Sequence, residues 1–283
     1  MQDLNKPITQ GYDFNLNNYI KEGWELFKAH AGSFIGMTVL FIVIQIILIF
    51  IPYLSSFNNL LSSLLYAGYF VYCRNIFNQT EDASDFFKGF NRAGQIILYK
   101  IVYIIFLIPF FLLLFTYVIP FGSFLDLVNG SIGSEEFSSR AIEEVSGNSS
   151  MVGLSLVIAI FGTIYLSVSY IFTLPLIMDT RLDFWQAMEL SRKVVGKRFF
   201  QIFLSLLGLG IVFSLATAIT CGVGLLVATP LAYTIIFSAY DQIYEPYKDE
   251  FKTDLEVFGE EEKDINTESQ EKQQGDKNSP EKS

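Results

Sequence analysis

Four ionisable side chains, Arg74, Asp179, Arg181 and Asp241, stand at the ends of long apolar runs. Guanidiniums and carboxylates in that setting are most often solvated or paired locally. The sharper expectation is a polar cluster that locks helical hairpins together or lines an opening at one membrane face. A charge deep inside a span would mark an ion or proton path, and the apolar runs contain none, which weakens a pump or proton-coupled transporter. Gln45 is the amide near the middle of the first run, where a hydrogen bond between helices is expected over substrate binding. Metal chemistry has few ligands to draw on: one histidine, His30, and two cysteines, Cys73 and Cys221. Both cysteines lie in or beside apolar runs and read as buried thiols acting as small hydrophobes. They offer neither a zinc shell nor a disulfide framework. No Ser-His-Asp set, HExxH motif or carboxylate pair stands out, so no catalytic, cofactor or metal site is expected and the chain reads as non-enzymatic.

The elements that must position these residues are set by composition. The chain has 283 residues, 51% of them hydrophobic and only 17% charged, against roughly a quarter charged in ordinary soluble domains. Mean hydropathy is +0.39. The stretches Ile35–Ile51, Ile101–Leu125 and Met151–Met178 hold no charge, and about 18 or more apolar residues suffice to cross the bilayer as a helix. The expected fold is an all-α integral membrane protein with six transmembrane helices, at about 31–51, 57–77, 96–119, 151–178, 199–220 and 224–244. The opening, "MQDLNKPITQGYDFN", is polar and is expected to hold no cleavable signal peptide. Residues 1–14 form an N-terminal tail, 15–244 the membrane domain and 245–283 a cytoplasmic tail. That tail carries 13 acidic and 6 basic residues and so most of the formal charge of −10. It is nearly free of apolar residues after Phe258, so it is expected to be disordered and no binder of nucleic acid.

Basic residues orient the spans, because Lys and Arg stay on the cytoplasmic side. Lys6, Lys21 and Lys28 precede the first span, Arg74, Lys88, Arg92 and Lys100 cluster between the second and third, and Arg181, Arg192, Lys193, Lys197 and Arg198 between the fourth and fifth. With the six lysines of the tail, 18 of 19 basic residues fall on one side. Only Arg140 lies opposite. Six passes with both ends cytoplasmic follow, in a bacterial cytoplasmic membrane. The third connection, about 120–150, is rich in Ser, Gly and Glu and is expected to be a disordered outer loop containing a short helix.

Two amphipathic segments look alike. Leu16–His30 gathers Leu16, Tyr19, Ile20, Gly23, Trp24, Leu26 and Phe27 on one arc and Lys21, Glu22, Glu25 and Lys28 on the other. This is the pattern of a helix lying in the interface plane, with Trp24, Tyr19, Lys21 and Lys28 as anchors at headgroup depth. The segment from Asp183 repeats it, opening on a capping-box arrangement of Asp183 and Gln186. Its apolar side is Phe184, Ala187, Met188, Leu190, Val194 and Val195, and its anchors are Trp185, Arg192, Lys193, Lys197 and Arg198. The letters agree, "GWELFKAHAGSF" against "AMELSRKVVGKRF", with one extra residue in the second. A weaker third copy is "SDFFKGFNRAGQII". Each precedes an odd-numbered span, so the chain reads as three modules of in-plane helix plus hairpin, an internal repeat. Pro109, Pro175 and Pro230 are expected to kink their spans, and small residues such as Gly208, Gly210 and Ser214 to favour close packing of the last two.

The segments "NNYIKEGWELFKAHAGSFIG", "FTLPLIMD", "FWQAMELSRKVV" and "GVGLLVATPLAYTIIFSAY" resemble a group of uncharacterised bacterial multi-pass membrane proteins. These look related to the membrane domain attached to some glycerophosphodiester phosphodiesterases. The resemblance runs to about Tyr244 and implies a six-helix membrane fold without catalytic residues. The soluble phosphodiesterase barrel has no counterpart in the sequence, so its hydrolase activity does not carry over. Members of the group sometimes bear a beta-carotene monooxygenase label, but iron in such oxygenases is held by several histidines and this sequence has one.

The expected role is therefore to organise membrane or partner proteins. The bilayer itself is one partner; a membrane protein or a second copy of the chain is another. Two alternatives stand: a permease for a lipid-like or small apolar solute, and a lipid-modifying enzyme working at the cytoplasmic interface.

Overall fold

A computed structural model describes residues 11–50, 58–80, 82–118, 121–180 and 182–244. Every regular element among them is helical: α1 (Leu16–Ala29), α2 (Ala31–Ile49), α3 (Asn58–Phe77), a 3₁₀ helix (Ala83–Arg92), α4 (Ala93–Val118), α5 (Phe121–Val128), α6 (Ser134–Gly147), α7 (Ser149–Ser169), α8 (Thr173–Asp179), α9 (Phe184–Lys197), α10 (Phe199–Ile219) and α11 (Leu225–Tyr244). The 1–10 part of the N-terminal tail, most of the link between the first two expected spans, Arg181 and the 245–283 tail lie outside the described residues.

Four helices are long and apolar enough to cross a membrane, over Ala31–Leu48, Ser84–Val118, Ser149–Asp179 and Phe199–Ile219. The chain is membrane-embedded. The other two expected spans, α3 and α11, are helices of 20 residues each but are not among those four. Their composition explains it: α3 carries Asn58, Ser62, Ser63, three tyrosines and Arg74, and α11 carries Thr234, Ser238, Tyr240 and Asp241. They are also the most buried of the long helices, from Ser63 to Cys73 in α3 and from Ala228 to Tyr244 in α11. A helix sheathed by protein can hold polar groups that a lipid-facing helix cannot.

The amphipathic segments pack on these less apolar helices. α1 lies along α11, the 3₁₀ helix along α3, and α9 along α8. In α1, Tyr19, Gly23 and Phe27 face inward, and Glu22 accepts hydrogen bonds from Ser238 (2.8 Å) and Gln242 of α11. The approach needs glycine, since a Cβ on Gly23 would lie 2.8 Å from the Ile235 backbone. The middle segment is a 3₁₀ helix rather than an α-helix, unusually long for its kind. It is fixed at both ends. Asp82 caps Ser84 N–H at 3.0 Å, Asp85 accepts from Asp82 N–H at 3.0 Å and from Asn75 of α3 at 2.7 Å, and Lys88 pairs with Asp85. A Cβ on Gly68 would stand 1.9 Å from the Phe86 carbonyl oxygen, and one on Gly89 2.0 Å from that of Leu64, so backbone meets backbone here.

The fourth long segment breaks at Tyr170–Phe172, between α7 and α8. Pro175 lacks the N–H that would bond the Ile171 carbonyl. Ser191 of α9 closes the gap: its hydroxyl donates to Ser169 O at 2.8 Å and accepts from Phe172 N–H at 3.3 Å. α4 continues through Pro109.

Packing is uneven along the helices. Buried positions gather where the basic residues cluster: the starts of α2, α4 and α10, the ends of α3 and α11, and α8 with α9. At the far end, α4 buries nothing after Tyr99 and α10 nothing after Ile202. Two expectations are corrected. The third connection holds two helices, Phe121–Val128 and Ser134–Gly147, where one short helix in a disordered loop was expected; Phe124 packs against Phe137, and Arg140 pairs with Glu136 (2.6 Å), the one-turn spacing that supports a helix. Cys221 is exposed, because it sits at φ 50° in the turn between α10 and α11 rather than inside either helix; Cys73 is buried.

Candidate functional site

Three helix ends meet at Arg74. It lies in the last turn of α3, Asp179 ends α8, and Asp241 lies in the last turn of α11. The guanidinium grips Asp179 with two bonds, Nε to Oδ1 at 2.7 Å and Nη2 to Oδ2 at 2.8 Å, and reaches Asp241 Oδ1 through Nη1 at 2.7 Å. Tyr240 donates to Asp179 Oδ2 at 3.0 Å, and the guanidinium carbon sits 4.9 Å from the centre of the Phe237 ring. Side-chain exposure is 18% for Arg74 and Asp179 and 7% for Asp241, so the set is largely withdrawn from water. The planar fork of an arginine suits two carboxylates at once, which a lysine cannot match. A cavity of about 110 Å³ adjoins the set, lined among others by Phe70, Asn75, Pro175 and Tyr240.

A second arginine works beside it. Arg92, at the end of the 3₁₀ helix, donates to the carbonyls of Ile177 (2.7 Å), Thr180 and Leu182 (3.3 Å). It thereby supplies the donors and positive charge that the C-terminus of α8 lacks. Gln45 donates to Ser62 Oγ at 3.0 Å, joining α2 to α3.

Of the interface residues, Trp24 and Trp185 are exposed (46% and 53%), as are Lys21, Lys28, Arg192, Lys193, Lys197 and Arg198. Tyr19 is a correction. It is 1% exposed, with its ring edge-on to Phe14 and its hydroxyl donating to Asp13 O at 3.2 Å. It lies on the edge of the α1 face that meets α11, not at the outer surface. On α9, burial would raise the Glu189 carboxyl, but Arg192 (2.9 Å) and Lys193 (3.2 Å) outweigh it and hold the carboxyl below its usual range. Asp85 behaves likewise: burial opposes ionisation, while Lys88, Asn75 and the Asp82 N–H favour it and prevail.

At the far end, α10 and α11 diverge around a lateral cleft of about 610 Å³, lined by Phe213, Ser214 and Thr217 on one side and Ala228, Thr229 and Tyr233 on the other. Tyr233 stacks on Tyr66 (4.9 Å) and Tyr69 (5.1 Å).

The structure thus joins Arg74, Asp179 and Asp241, bonds Gln45 across to α3, and leaves the two tryptophans exposed. Sequence reasoning missed Arg92, Ser191, Tyr240 and the bonding role of Glu22. Ser191 had a signal, a hydroxyl on the apolar face of an amphipathic helix; the others had none without knowing which helix they would meet.

Residues 141–245 match the family model for the membrane domain of glycerophosphoryl diester phosphodiesterase. The matched stretch runs from within α6 through α11 and includes Asp179 and Asp241 but not Arg74. Comparison with curated proteins and with solved structures gave no match.

Proposed function

We propose that the chain is a six-pass protein of the bacterial cytoplasmic membrane, both ends cytoplasmic, that organises lipids or partner membrane proteins without catalysing a reaction. The observation that carries this reading is the Arg74 clasp. It ties α3, α8 and α11 together at the end where basic residues cluster, with three short charge-assisted bonds. Groups engaged this way brace a platform and leave little free for chemistry.

The reading includes a threefold repeat, for which spacing and contacts give support. The spacing Tyr66, Phe70, Arg74 in α3 recurs as Tyr233, Phe237, Asp241 in α11, and the two tyrosines stack. The segments α1, 3₁₀ and α9 each present a small buried residue, Gly23, Gly89 or Ala187, at the same place in the aligned letters. Each packs on the second span of another module: the first on that of the third, the second on that of the first, the third on that of the second. That is the contact order of a closed ring of three, with α3, α8 and α11 contributing one charge each to its centre.

The cleft between α10 and α11 favours a second reading, a protein that holds or moves a lipid-like solute. Copurification from native membrane, with identification of bound lipids and proteins, tests both. A stoichiometric partner protein or second copy supports organisation. Turnover of a lipid by the purified chain, abolished in Arg74→Ala, would refute the non-enzymatic reading.

A further inference from the structure

We infer that the cleft between α10 and α11 is a binding site for one acyl chain of an outer-leaflet phospholipid. The inference rests on the six-pass reading, which puts the 220–224 turn on the outer side.

Length is the first argument. The cleft lining on α11 runs from Leu225 beside the turn to Ile236, eleven steps or about 16 Å along a helix. Half of a hydrocarbon core of roughly 30 Å is nearly the same length. The cleft thus begins at headgroup depth and ends near the midplane, where Tyr233 closes it by stacking into the aromatic cluster of α3. A chain from one leaflet fills it end to end.

Occupancy is the second. At about 610 Å³ the groove is within the range of small-molecule sites, about 300–1,000 Å³, and it opens sideways to whatever surrounds the helices. Water is a poor occupant, because the walls are mainly apolar. The C-terminal sequence follows Tyr244, at the opposite end of α11, and carries 13 acidic and 6 basic residues. The bilayer already bathes the flanks: Leu215 and Val212 of α10 and Val227 of α11 are exposed large hydrophobics. Its chains reach the cleft sideways.

Placement is the third. Hydroxyls of Ser214, Thr217 and Thr229 border the outer part of the cleft, within reach of ester carbonyls at the top of an acyl chain, while Phe213 and Ile236 border the deeper part.

The test is retention of phospholipid by the full chain, reconstituted in phosphatidylethanolamine–phosphatidylglycerol vesicles, extracted in mild detergent, washed and weighed by native mass spectrometry. The wild type is expected to retain one phospholipid per chain. Ser214→Phe and Ala218→Phe fill the cleft from residues already exposed and should keep the wild-type melting profile. A phenylalanine ring takes the space of several methylenes, so both variants should lose most of the retained lipid. Leu215→Phe, outside the cleft, should retain lipid normally. No retained lipid in the wild type, equal retention in the cleft variants, or a copurifying protein lost in those variants instead of lipid each overturns the inference. Labelling Cys221 with a membrane-impermeant maleimide in intact cells checks orientation separately, so failure of the topology and failure of the site are told apart.

Discussion

Arg74 neutralises two carboxylates that otherwise stand beside one another in a largely dry place. Removing it leaves both without their shared cation, and truncating one partner of a buried pair costs far more than the pair itself is worth. Arg74→Ala is therefore expected to destabilise the protein by about 2–4 kcal/mol, read as a lower melting temperature in detergent. Arg74→Lys should recover little, because a compact ammonium lacks the planar fork that bonds Asp179 twice while reaching Asp241. Ser191 poses a smaller problem of the same kind. Ser191→Ala strands a buried carbonyl at Ser169 and a buried N–H at Phe172, an expected cost of about 1–3 kcal/mol. Hydrogen exchange at Phe172 should rise in that variant more than elsewhere.

At the scale of elements, the 3₁₀ helix and α3 touch through two glycines. Gly68→Ala or Gly89→Ala would drive a methyl into a backbone carbonyl, which cannot swing aside as a side chain can. Loss of about 1–3 kcal/mol or more is expected for each. Gly94 meets nothing within 4 Å, so Gly94→Ala in helical α4 should be neutral or stabilising by up to about 1 kcal/mol. Parallel thermal melts of the three variants decide between steric contact and mere glycine flexibility. The anchor of the same helix titrates. Asp85 has its carboxyl held below the ordinary range, so its contribution is complete above the unfolded carboxyl pKa of about 4 and is lost as pH falls through the folded value. Stability measured from neutral pH downward should fall in that acid window, and Asp85→Asn should flatten the fall.

For the whole molecule, orientation is the testable quantity. Cys221 is exposed and Cys73 buried, so an impermeant maleimide added outside sealed cells should modify the wild type at one site. After Cys221→Ser, single cysteines placed between Glu135 and Glu144 should label from the same side. Labelling only after the cells are opened would invert the topology. The uneven packing gives a second whole-molecule expectation. Slow hydrogen exchange should concentrate in α3, α8, α9 and α11, while the far halves of α4 and α10, with nothing buried beyond Tyr99 and Ile202, exchange as their lipid cover permits.

Much of this was legible in the residues. Apolar length predicts α2, α4, α7 and α10 because a helix that faces lipid must be apolar nearly all round, and that demand is written locally. Amphipathic spacing predicts α1 and α9, because a helix covered on one side only shows that side in its own period. The charges at 74, 179 and 241 stood out because apolar runs make any charge conspicuous. Other features depend on which surfaces meet. α3 and α11 are polar because other helices cover them, and nothing in their own letters says what the cover is. Tyr19 reads as an interface tyrosine until the chain before α1 folds over it through Phe14 and Asp13, and Ser191 as a spare hydroxyl until α7 breaks beneath it. Sequence alone therefore determined that this chain enters a membrane, through hydropathy, a property of each segment by itself. Tertiary structure decided that one arginine holds three helix ends, because a salt bridge across 105 or 167 residues exists only once the helices have packed.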